Sequence, residues 1–296
     1  MNKNVFVLVN PASGRKNPRR VLDRLEKRLV DLRIDHQVYE TSAASRGFDT
    51  VRDNLSDGHS DIIVIGGDGT LNEAVNALSQ DIPLGIIPSG TGNDYAKCLD
   101  IGKDESEVIN NAINGEIARV DLGLCNGRRF LNGVGIGIDG EIVFDMLYKK
   151  TTLLKGHARY YYRLLNTMLT YRAQSIRYRR DDGAFKESRL MSLTVAKGTT
   201  FGGGFRLTPT AKLQDGYLHL CEIASVPLLK RFLQVGKVKK GTHLQLEEVA
   251  FYRARTLAVD ENAALHAHVD GEYLGPPPFS FSVLPGALAV RVKSTR

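Results

Sequence analysis

The sequence has few cysteines and no apolar stretch of membrane-spanning length. Its three cysteines, Cys98, Cys125 and Cys221, are odd in number and widely spaced, which argues against a disulfide framework and against a zinc site. The longest apolar runs, such as residues 5–9, are strand-sized, far short of the ~20 residues that a transmembrane helix needs. The first four residues contain no apolar segment or cleavage site, so we expect no signal peptide. These absences favour a cytoplasmic protein with reduced, buried cysteines.

Several enzyme motifs are also missing. The sequence contains no Walker P-loop and no protein-kinase catalytic loop. The seven histidines show no metal-ligand spacing, and His266 and His268 are typical of surface residues on one strand face. Residues 135–140 fit the pattern G-x-G-x-x-G, but they come late in the chain and no parallel β-α-β unit clearly surrounds them. We therefore predict a strand-to-helix turn there rather than a dinucleotide site.

Composition and charge limit the classes of partner. The 296 residues are 42% hydrophobic and 25% charged, which is ordinary for a globular protein and sufficient for two domains. The formal net charge is +7. A basic surface attracts nucleic acid, anionic lipid headgroups or phosphorylated substrates, and charge alone leaves these three open.

The first part of the chain alternates strand-like and helix-like patterns. Pro18 suits the first turn of a helix, and apolar residues recur behind it at helical spacing. Thr70 is predicted to cap a later helix, with Glu73 three residues on as in a capping box. Strands are predicted at residues 5–9, 37–40, 62–65 and 84–87. This order predicts an α/β domain with an open, mostly parallel sheet, whose sites gather where strand C-termini meet helix N-termini.

After about Asp121 the pattern changes to that of antiparallel strands with one wet face. Apolar and polar residues alternate at 192–195, 217–220 and 267–269. Asp-Gly pairs and other turn signals separate these segments. We therefore expect a second, β-rich domain, a sandwich.

A glycine-rich loop, residues 66–70, lies between a predicted strand and a helix. Its three glycines allow a bulky anion to approach the backbone, and the N-terminus of the helix offers N–H groups to that anion. Asp68 would repel a phosphate unless a cation bridges the two, which points to Mg²⁺. The alternative interpretation is a tight turn in which Asp68 caps the helix.

Two more loops of small residues follow neighbouring strands. They are Asn-Pro-Ala-Ser-Gly at residues 10–14 and Ser-Gly-Thr-Gly-Asn-Asp at residues 89–94. The C-terminal ends of parallel strands meet at one edge of a sheet, so three such loops suit one nucleotide in a shared crevice.

These motifs together resemble the diacylglycerol kinase catalytic domain. The similarity continues into the second half of the chain, through residues 201–205, 209–211, 215–216 and 269–272. It implies an α/β domain like those of NAD kinases and 6-phosphofructokinases, followed by a β-sandwich. The implied first domain comprises residues 1–122 and is completed by the last strand, within residues 286–296. The implied second domain, residues 123–285, is expected to take the lipid substrate.

The resemblance also implies an activity: transfer of the γ-phosphate of ATP to a lipid hydroxyl, with diacylglycerol as the best guess. Glu272 is implied as the general base, and a carboxylate is suited to take the proton from an attacking hydroxyl. Asp68, Asp94 and Asp121 are implied to hold catalytic Mg²⁺. Contacts with ATP are implied for Asn10, Pro11, Ala12, Ser13, Gly14, Thr41, Gly67, Asp68, Gly69, Thr70, Leu71, Asn72, Glu73 and Thr91.

Residues 212–217 resemble a structural Mg²⁺ loop of the same family. The carboxylate of Asp215 and the backbone carbonyls of Lys212 and Tyr217 are the implied ligands. Asp-Gly is also a common plain turn, so the sequence leaves both interpretations open. A homodimer is a further expectation from the resemblance.

Two basic segments interrupt the β-rich part. Between Asp145 and Asp181 there are nine Lys or Arg and no acidic residue, and residues 223–246 again contain only basic charges. Their mixture with Leu, Phe and Tyr favours peripheral contact with an anionic membrane. Residues 159–163 also suit stacking on nucleic-acid bases, but no nucleic-acid module surrounds them, so we expect no nucleic-acid partner. The remaining alternatives are another acceptor (a sphingoid base, another glycerolipid or NAD) or an inactive nucleotide-binding regulator.

Overall fold

The computed structural model describes residues 3–14, 17–42, 46–149, 156–262 and 264–294, apart from the side chains of residues 156–161. The chain divides into two compact units. One unit is Met1–Leu122 with Pro285–Arg296, and the other is Gly123–Leu284. Among the helices within the described ranges, none combines the length and apolar character that crossing a membrane demands.

The first unit alternates strands and helices, as the sequence predicts. Its elements are β1 (Asn4–Val9), α1 (Pro18–Asp31), β2 (Asp35–Glu40), α2 (Gly47–Asn54), β3 (Asp61–Gly66), α3 (Asp68–Ala77), β4 (Leu84–Pro88) and α4 (Glu105–Asn114). The strands pair in the order β2-β1-β3-β4, all parallel. Val290 of a late strand, β15 (Phe279–Val292), pairs in parallel with Leu84 of β4.

Burial explains why these segments are strands and helices. Apart from the partly exposed Asn4, β1 is buried along its whole length, as is β3, which fits the continuous apolar runs of central strands in a parallel sheet. In α1, Asn17 caps the N-terminus by accepting from the Arg20 N–H, and Pro18 opens the first turn. The predicted α/β class of this part is confirmed.

The second unit is mainly antiparallel. Strand β5 (Glu116–Cys125) begins in the first unit and ends in the second. The elements that follow are β6 (Arg128–Phe130), β7 (Gly133–Gly137), α5 (Ile138–Tyr148), α6 (Gly156–Thr170), β8 (Gln174–Arg180), β9 (Lys186–Ala196), β10 (Leu218–Ala224), α7 (Leu228–Lys240), β11 (Val249–Ala254), β12 (Thr256–Val259), β13 (Ala267–Val269) and β14 (Glu272–Gly275).

Antiparallel pairing connects β14-β13-β7-β9-β8-β12-β15, and β10 joins β9 to β11. The main apolar core of this unit has Phe130, Tyr178 and Phe281 among its largest members, and two smaller buried clusters accompany it. The two buried cysteines, Cys125 and Cys221, belong to this unit; Cys98 of the first unit is half-buried, and none of the three is disulfide-bonded. Burial raises the pKa of the thiols of Cys125 and Cys221 to about 12, so these two residues remain as unreactive thiols.

Two local predictions can be compared directly with the structure. Residues 135–140 do form a strand-to-helix turn: β7 pairs antiparallel with β9 and β13, so no parallel β-α-β unit exists there. The predicted cap at Thr70 is wrong. Helix α3 begins at Asp68 with Gly67 as its N-cap residue, and Thr70 lies buried inside the first turn.

Candidate active site

Three loops lie at one edge of the parallel sheet, because each follows the C-terminal end of a strand. The loop after β1 is joined to the loop after β3: the Asn10 side-chain amide donates to Thr70 Oγ1 at 2.9 Å. The Asn10 side-chain oxygen accepts from the Ala12 N–H at 3.0 Å, which shapes its own loop. The arrangement leaves the first turn of α3 flanked by the loop after β1.

The third loop, after β4, packs against both of the others. The hydroxyls of Ser13 and Ser89 are 2.5 Å apart and buried. Gly14 has φ +61°, and a Cβ there would come within 1.9 Å of the Ser89 carbonyl oxygen. A Cβ on Gly90 would lie 2.5 Å from the Gly67 Cα. The glycines therefore serve contact between loops as well as access for an anion.

The Asp68 carboxylate connects the second loop to the third. Its Oδ2 accepts from the Asp94 N–H and its Oδ1 from the Tyr95 N–H, both at 3.1 Å. Burial raises the pKa of Asp68, and the negative charge of Asp94 adds to that rise, while the two N–H donors and Lys97 lower it. Lys97 lies 2.9 Å from Asp94 Oδ1.

Asp68 and Asp94 supply two carboxylates that suit a Mg²⁺ site. A Cβ built on Gly92 would lie 3.1 Å from Asp68 Oδ2 and 3.6 Å from Asp94 Oδ2, so both carboxylates face the space beside this glycine. Hard oxygen ligands of this kind are those that Mg²⁺ prefers, with water and substrate phosphate completing the shell. Among the described residues there is no cluster of three or more His, Cys, Asp or Glu that could hold a metal ion by itself. These residues fit Mg²⁺.

Asp121 has a different setting. It is buried in β5, and its Oδ1 accepts from the Gly286 N–H at 2.9 Å. This bond ties β5 to the turn within β15 inside the first unit. The predicted role of Asp121 in holding catalytic Mg²⁺ stays a prediction.

The other residues predicted to contact a nucleotide fall into three groups by exposure. Thr91 and Ala12 are exposed on their loops, and Gly69 has no atom within 4 Å of where its Cβ would be. Leu71 and Asn72 are buried within α3, so their side chains serve the interior. The remaining members, Pro11, Thr41 and Gly67, are partly exposed near the same sheet edge.

Glu73 serves the loop before α2 instead of capping α3. Its carboxylate accepts from the Arg46 guanidinium at 2.7 Å and from the Gly47 N–H at 2.8 Å. Thr41, at the end of β2, donates its backbone N–H to Val9 at 2.9 Å. Glu73 therefore fixes the start of α2, at Arg46 and Gly47.

In the second unit Glu272 opens β14 directly after a tight turn. Its Oε2 lies 2.5 Å from the Arg128 guanidinium, and its side chain is 36% exposed. Such a guanidinium contact orients a carboxylate while leaving it accessible to a substrate.

Asp270 holds the turn before Glu272 in place. Its carboxylate accepts from the backbone N–H groups of Leu131, Asn132 and Gly133 at 2.8, 3.0 and 2.8 Å. Asp270 and Gly271 both have positive φ, +47° and +88°. The turn is therefore fastened to residues 131–133, which directly follow β6, the strand that begins with Arg128.

The loop predicted to bind a structural Mg²⁺ is contacted by a lysine ammonium of this chain. The Lys197 ammonium, fully buried, donates to Asp215 Oδ1 at 3.1 Å and to the Tyr217 carbonyl at 2.7 Å. These are two of the three ligands predicted for a metal. Mg²⁺ needs oxygens at 2.0–2.1 Å in octahedral geometry. The fully buried Lys197 ammonium already lies on both of these oxygens, whereas the Lys97 side chain beside Asp94 is 50% exposed and can move aside. The residues of this loop therefore do not fit Mg²⁺.

Two family models cover most of the chain. The model described as the diacylglycerol kinase catalytic domain matches residues 4–125. The model described as the YegS C-terminal NAD kinase beta sandwich-like domain matches residues 132–292. The chain belongs to the diacylglycerol kinase catalytic-domain family. The predicted family and the predicted β-sandwich class of the second domain are thereby confirmed.

Relatives in this family resemble the chain over nearly its whole length. A diacylglycerol kinase of Staphylococcus saprophyticus is 28% identical over 284 residues, covering 95% of this chain and 92% of the relative. A diacylglycerol kinase of Bacillus subtilis is also 28% identical, covering 94% of this chain and 93% of its own length.

Solved structures show the same fold. A diacylglycerol kinase from Bacillus anthracis superimposes with a TM-score of 0.76 at 22% identity, covering 98% of this chain and 97% of that chain. An NAD kinase from Archaeoglobus fulgidus, solved in complex with ATP, gives a TM-score of 0.54 at 13% identity, covering 97% and 93%. The predicted likeness of the α/β domain to NAD kinases is confirmed.

Three basic residues of these sites were not predicted from the sequence. Lys97 contacts Asp94, Arg128 contacts Glu272, and Lys197 contacts Asp215. Lys97 stands three residues after Asp94, a spacing at which neighbouring side chains meet in a helical turn. Arg128 and Lys197 belong to no motif, and only the tertiary structure brings them to their partners.

Proposed function

We propose that this family member is an ATP-dependent lipid kinase that transfers the γ-phosphate of ATP to a lipid hydroxyl, with diacylglycerol as the first-choice acceptor and phosphatidate as its product. The observation that carries the proposal is the packing of three strand-end loops around the Asp68–Asp94 carboxylate pair. Loops of this kind, at a helix N-terminus and beside paired carboxylates, suit a triphosphate with its cation. The diacylglycerol kinases among the relatives support the choice of a lipid acceptor.

The proposed mechanism assigns separate roles to the two units. In the first unit, the N–H groups at the start of α3 and the loops after β1 and β4 hold the phosphates. Asp68 and Asp94 would hold Mg²⁺, which would neutralise charge on the transferred phosphoryl group. In the second unit, Glu272 takes the proton from the lipid hydroxyl. Arg128 keeps the carboxylate of Glu272 in one orientation.

A lipid panel assayed with radiolabelled ATP tests the proposed function. Diacylglycerol, a monoacylglycerol, a sphingoid base and NAD are offered in turn, in detergent micelles where needed. We expect label in the diacylglycerol product. Label in another lipid would correct the acceptor, label in NAD alone would overturn the substrate class, and no transfer to any acceptor despite ATP binding would favour an inactive regulator.

Two glycine substitutions test the nucleotide loops. Gly14→Ala places a Cβ 1.9 Å from a backbone oxygen at positive φ, so we expect it to lower the free energy of unfolding by about 2 kcal/mol or more.

The Cβ of Gly69→Ala meets no protein atom within 4 Å, and alanine in a helix is at least as stable as glycine. Gly69→Ala should therefore keep its stability and bind ATP more weakly, because its methyl group intrudes where phosphate approaches.

Thermal unfolding and titration with ATP distinguish these outcomes. Equal stability of Gly14→Ala and the parent protein would contradict the described loop packing. Unchanged ATP affinity in Gly69→Ala would contradict phosphate binding at the start of α3.

The proposed contact with an anionic membrane involves helices α6 and α7, which touch each other in the second unit. No residue of α7 is buried, and Leu229 and Leu233 are 74% and 70% exposed. On α6, Tyr162, Leu165 and Leu169 are exposed at helical spacing. Exposed apolar side chains on neighbouring helices suit the boundary between headgroups and acyl chains.

The basic residues near these helices divide into inward-facing and outward-facing groups. Arg231 donates to the Met168 and Tyr171 carbonyls at 2.8 Å, and Arg163 is buried beside Asp145. These two fasten the helices and are not available to headgroups, and the side chains of residues 159–161 lie outside the described part of the chain. The last turn of α7 carries Lys237, Lys239 and Lys240, all exposed. These lysines are the proposed contacts with anionic lipid.

Sedimentation with vesicles tests this membrane contact. We expect Leu229→Ser/Leu233→Ser to weaken binding to phosphatidylglycerol-containing vesicles by about tenfold or more, since each exposed leucine contributes apolar area to insertion. Val30→Ser, which removes a 64% exposed apolar side chain from α1, is the matched control and should bind like the parent protein. Equal binding of the double variant would place the membrane contact elsewhere, and no binding of the parent protein to any vesicle would refute peripheral association.

A further inference from the structure

The side chain of Lys197 is fully buried at the end of β9, which is rare for a lysine. Its relative exposure is 0%. Lysine is almost never fully buried unless its charge is paired. The backbone of this segment is fastened as well, because the N–H groups of Lys197 and Gly198 both donate to the Asn132 carbonyl, at 2.8 and 2.9 Å. The ammonium is therefore held at a defined place by its own strand end.

The ammonium contacts both sides of the Asp215-Gly216 turn. It donates to Asp215 Oδ1 and to the Tyr217 carbonyl, and the Tyr217 N–H donates to the same Oδ1 at 3.2 Å. Gly216 completes the turn with φ +72°. The cation thus neutralises the carboxylate and also satisfies a carbonyl that faces inward.

His219 supports the same turn from the other side. Its Nε2 lies 3.0 Å from Asp215 Oδ2 and 3.2 Å from the Lys212 backbone nitrogen. Depending on which ring nitrogen carries the proton, Nε2 donates to the carboxylate or accepts from the N–H. Burial lowers the pKa of His219; the nearby Lys197 adds to that effect, while Asp215 opposes it.

We infer that this chain fastens the loop of residues 212–217 with the Lys197 ammonium in place of a structural divalent cation. The ammonium occupies the position between the Asp215 carboxylate and the Tyr217 carbonyl, two of the three ligands implied by the family's Mg²⁺ loop. A dication on the same oxygens would meet a positive charge at hydrogen-bond range and would have to displace a fully buried side chain. The fold of the second unit is therefore independent of Mg²⁺, whereas the proposed transfer of phosphate still requires it.

Thermal unfolding of the full-length chain without nucleotide tests this inference. We expect the Tm in EDTA and the Tm in 5 mM Mg²⁺ to agree within about 1 °C. The same pair of measurements is made on the Asp68→Asn variant, which lacks the carboxylate proposed to bind Mg²⁺ in the first unit. A Tm that rises by several degrees with Mg²⁺, persists in Asp68→Asn and disappears in Asp215→Asn would overturn the inference.

Replacing the ammonium provides the second measurement. We expect Lys197→Met to unfold about 5 °C or more below the parent protein, because a buried carboxylate loses its cation. Lys239→Met, which removes an exposed ammonium from α7, should leave Tm unchanged. A Lys197→Met protein as stable as the parent would refute the role of the ammonium, and if this variant fails to fold, the comparison of EDTA with Mg²⁺ on the parent protein decides. Neither measurement depends on kinase activity, so failure of the proposed function leaves this inference standing.

Discussion

Replacing Glu272 by glutamine is expected to reduce kcat for phosphate transfer to lipid by about 10²–10⁴-fold, the usual contribution of a general base. The amide keeps the size of the side chain but does not accept the proton of the attacking hydroxyl. The fold should survive, because the side chain is partly exposed and the preceding turn is fastened by Asp270 rather than by Glu272. Initial rates with radiolabelled ATP at saturating lipid measure the effect.

Two controls separate proton transfer from general loss of charge. Glu261→Gln neutralises an exposed glutamate of the same unit and should retain parent activity. Arg128→Gln leaves the Glu272 carboxylate in place and removes the guanidinium that orients it, so we expect a smaller loss than in Glu272→Gln. Parent-level activity in Glu272→Gln would remove this residue from the mechanism.

The second large effect is expected for Asp68→Asn: a fall in kcat/KM of about 10²–10³-fold, comparable to the loss of one preorganised electrostatic contact. The substitution removes one of the two charges proposed to hold Mg²⁺. In the parent protein the carboxylate accepts hydrogen bonds from two backbone N–H groups. The amide NH₂ of asparagine faces one of these donors with another donor, so we expect some stability to be lost as well. Activity measured over a range of Mg²⁺ concentrations should show a higher requirement for the metal than in the parent protein.

Asp81→Asn is the matched control for this substitution. Asp81 also accepts two hydrogen bonds, both from the Arg119 guanidinium at 2.6 Å, but it is exposed. An exposed pair of this kind contributes little to stability, and we expect full activity in the variant. The assignment of Asp68 would fail if Asp68→Asn were as active as Asp81→Asn at every Mg²⁺ concentration.

The α/β fold of the first unit and the place of its site follow from local features of the sequence. Continuous apolar runs predicted β1 and β3, and small-residue segments marked the loops that follow the strands. Pro18 marked the first turn of α1. Such signals lie within a few neighbouring residues, which is why they can be read without the tertiary structure.

The hydrogen-bond partners of polar side chains were harder to predict, even for residues close together in the sequence. The spacing from Thr70 to Glu73 suits a capping box, yet the N-cap of α3 is Gly67, three residues earlier, and Glu73 binds Arg46 and Gly47. The helix can start at Asp68 because Gly67 adopts the extended conformation of an N-cap residue and lies against Gly90 of the neighbouring loop. Packing between loops thus outweighed a local preference.

By itself the sequence determined the family, the α/β class of the first unit, the β-rich character of the second and the motifs from which the nucleotide site is proposed. Only the tertiary structure decided which basic residue pairs with the carboxylates of Glu272 and Asp215. Arg128 and Glu272 are 144 positions apart and Lys197 and Asp215 are 18 apart, and no periodic pattern relates such pairs. The tertiary fold brings each pair together. For the fully buried Lys197 the partner is essential, because an ionised group in a protein interior is stable only where the fold supplies its partner.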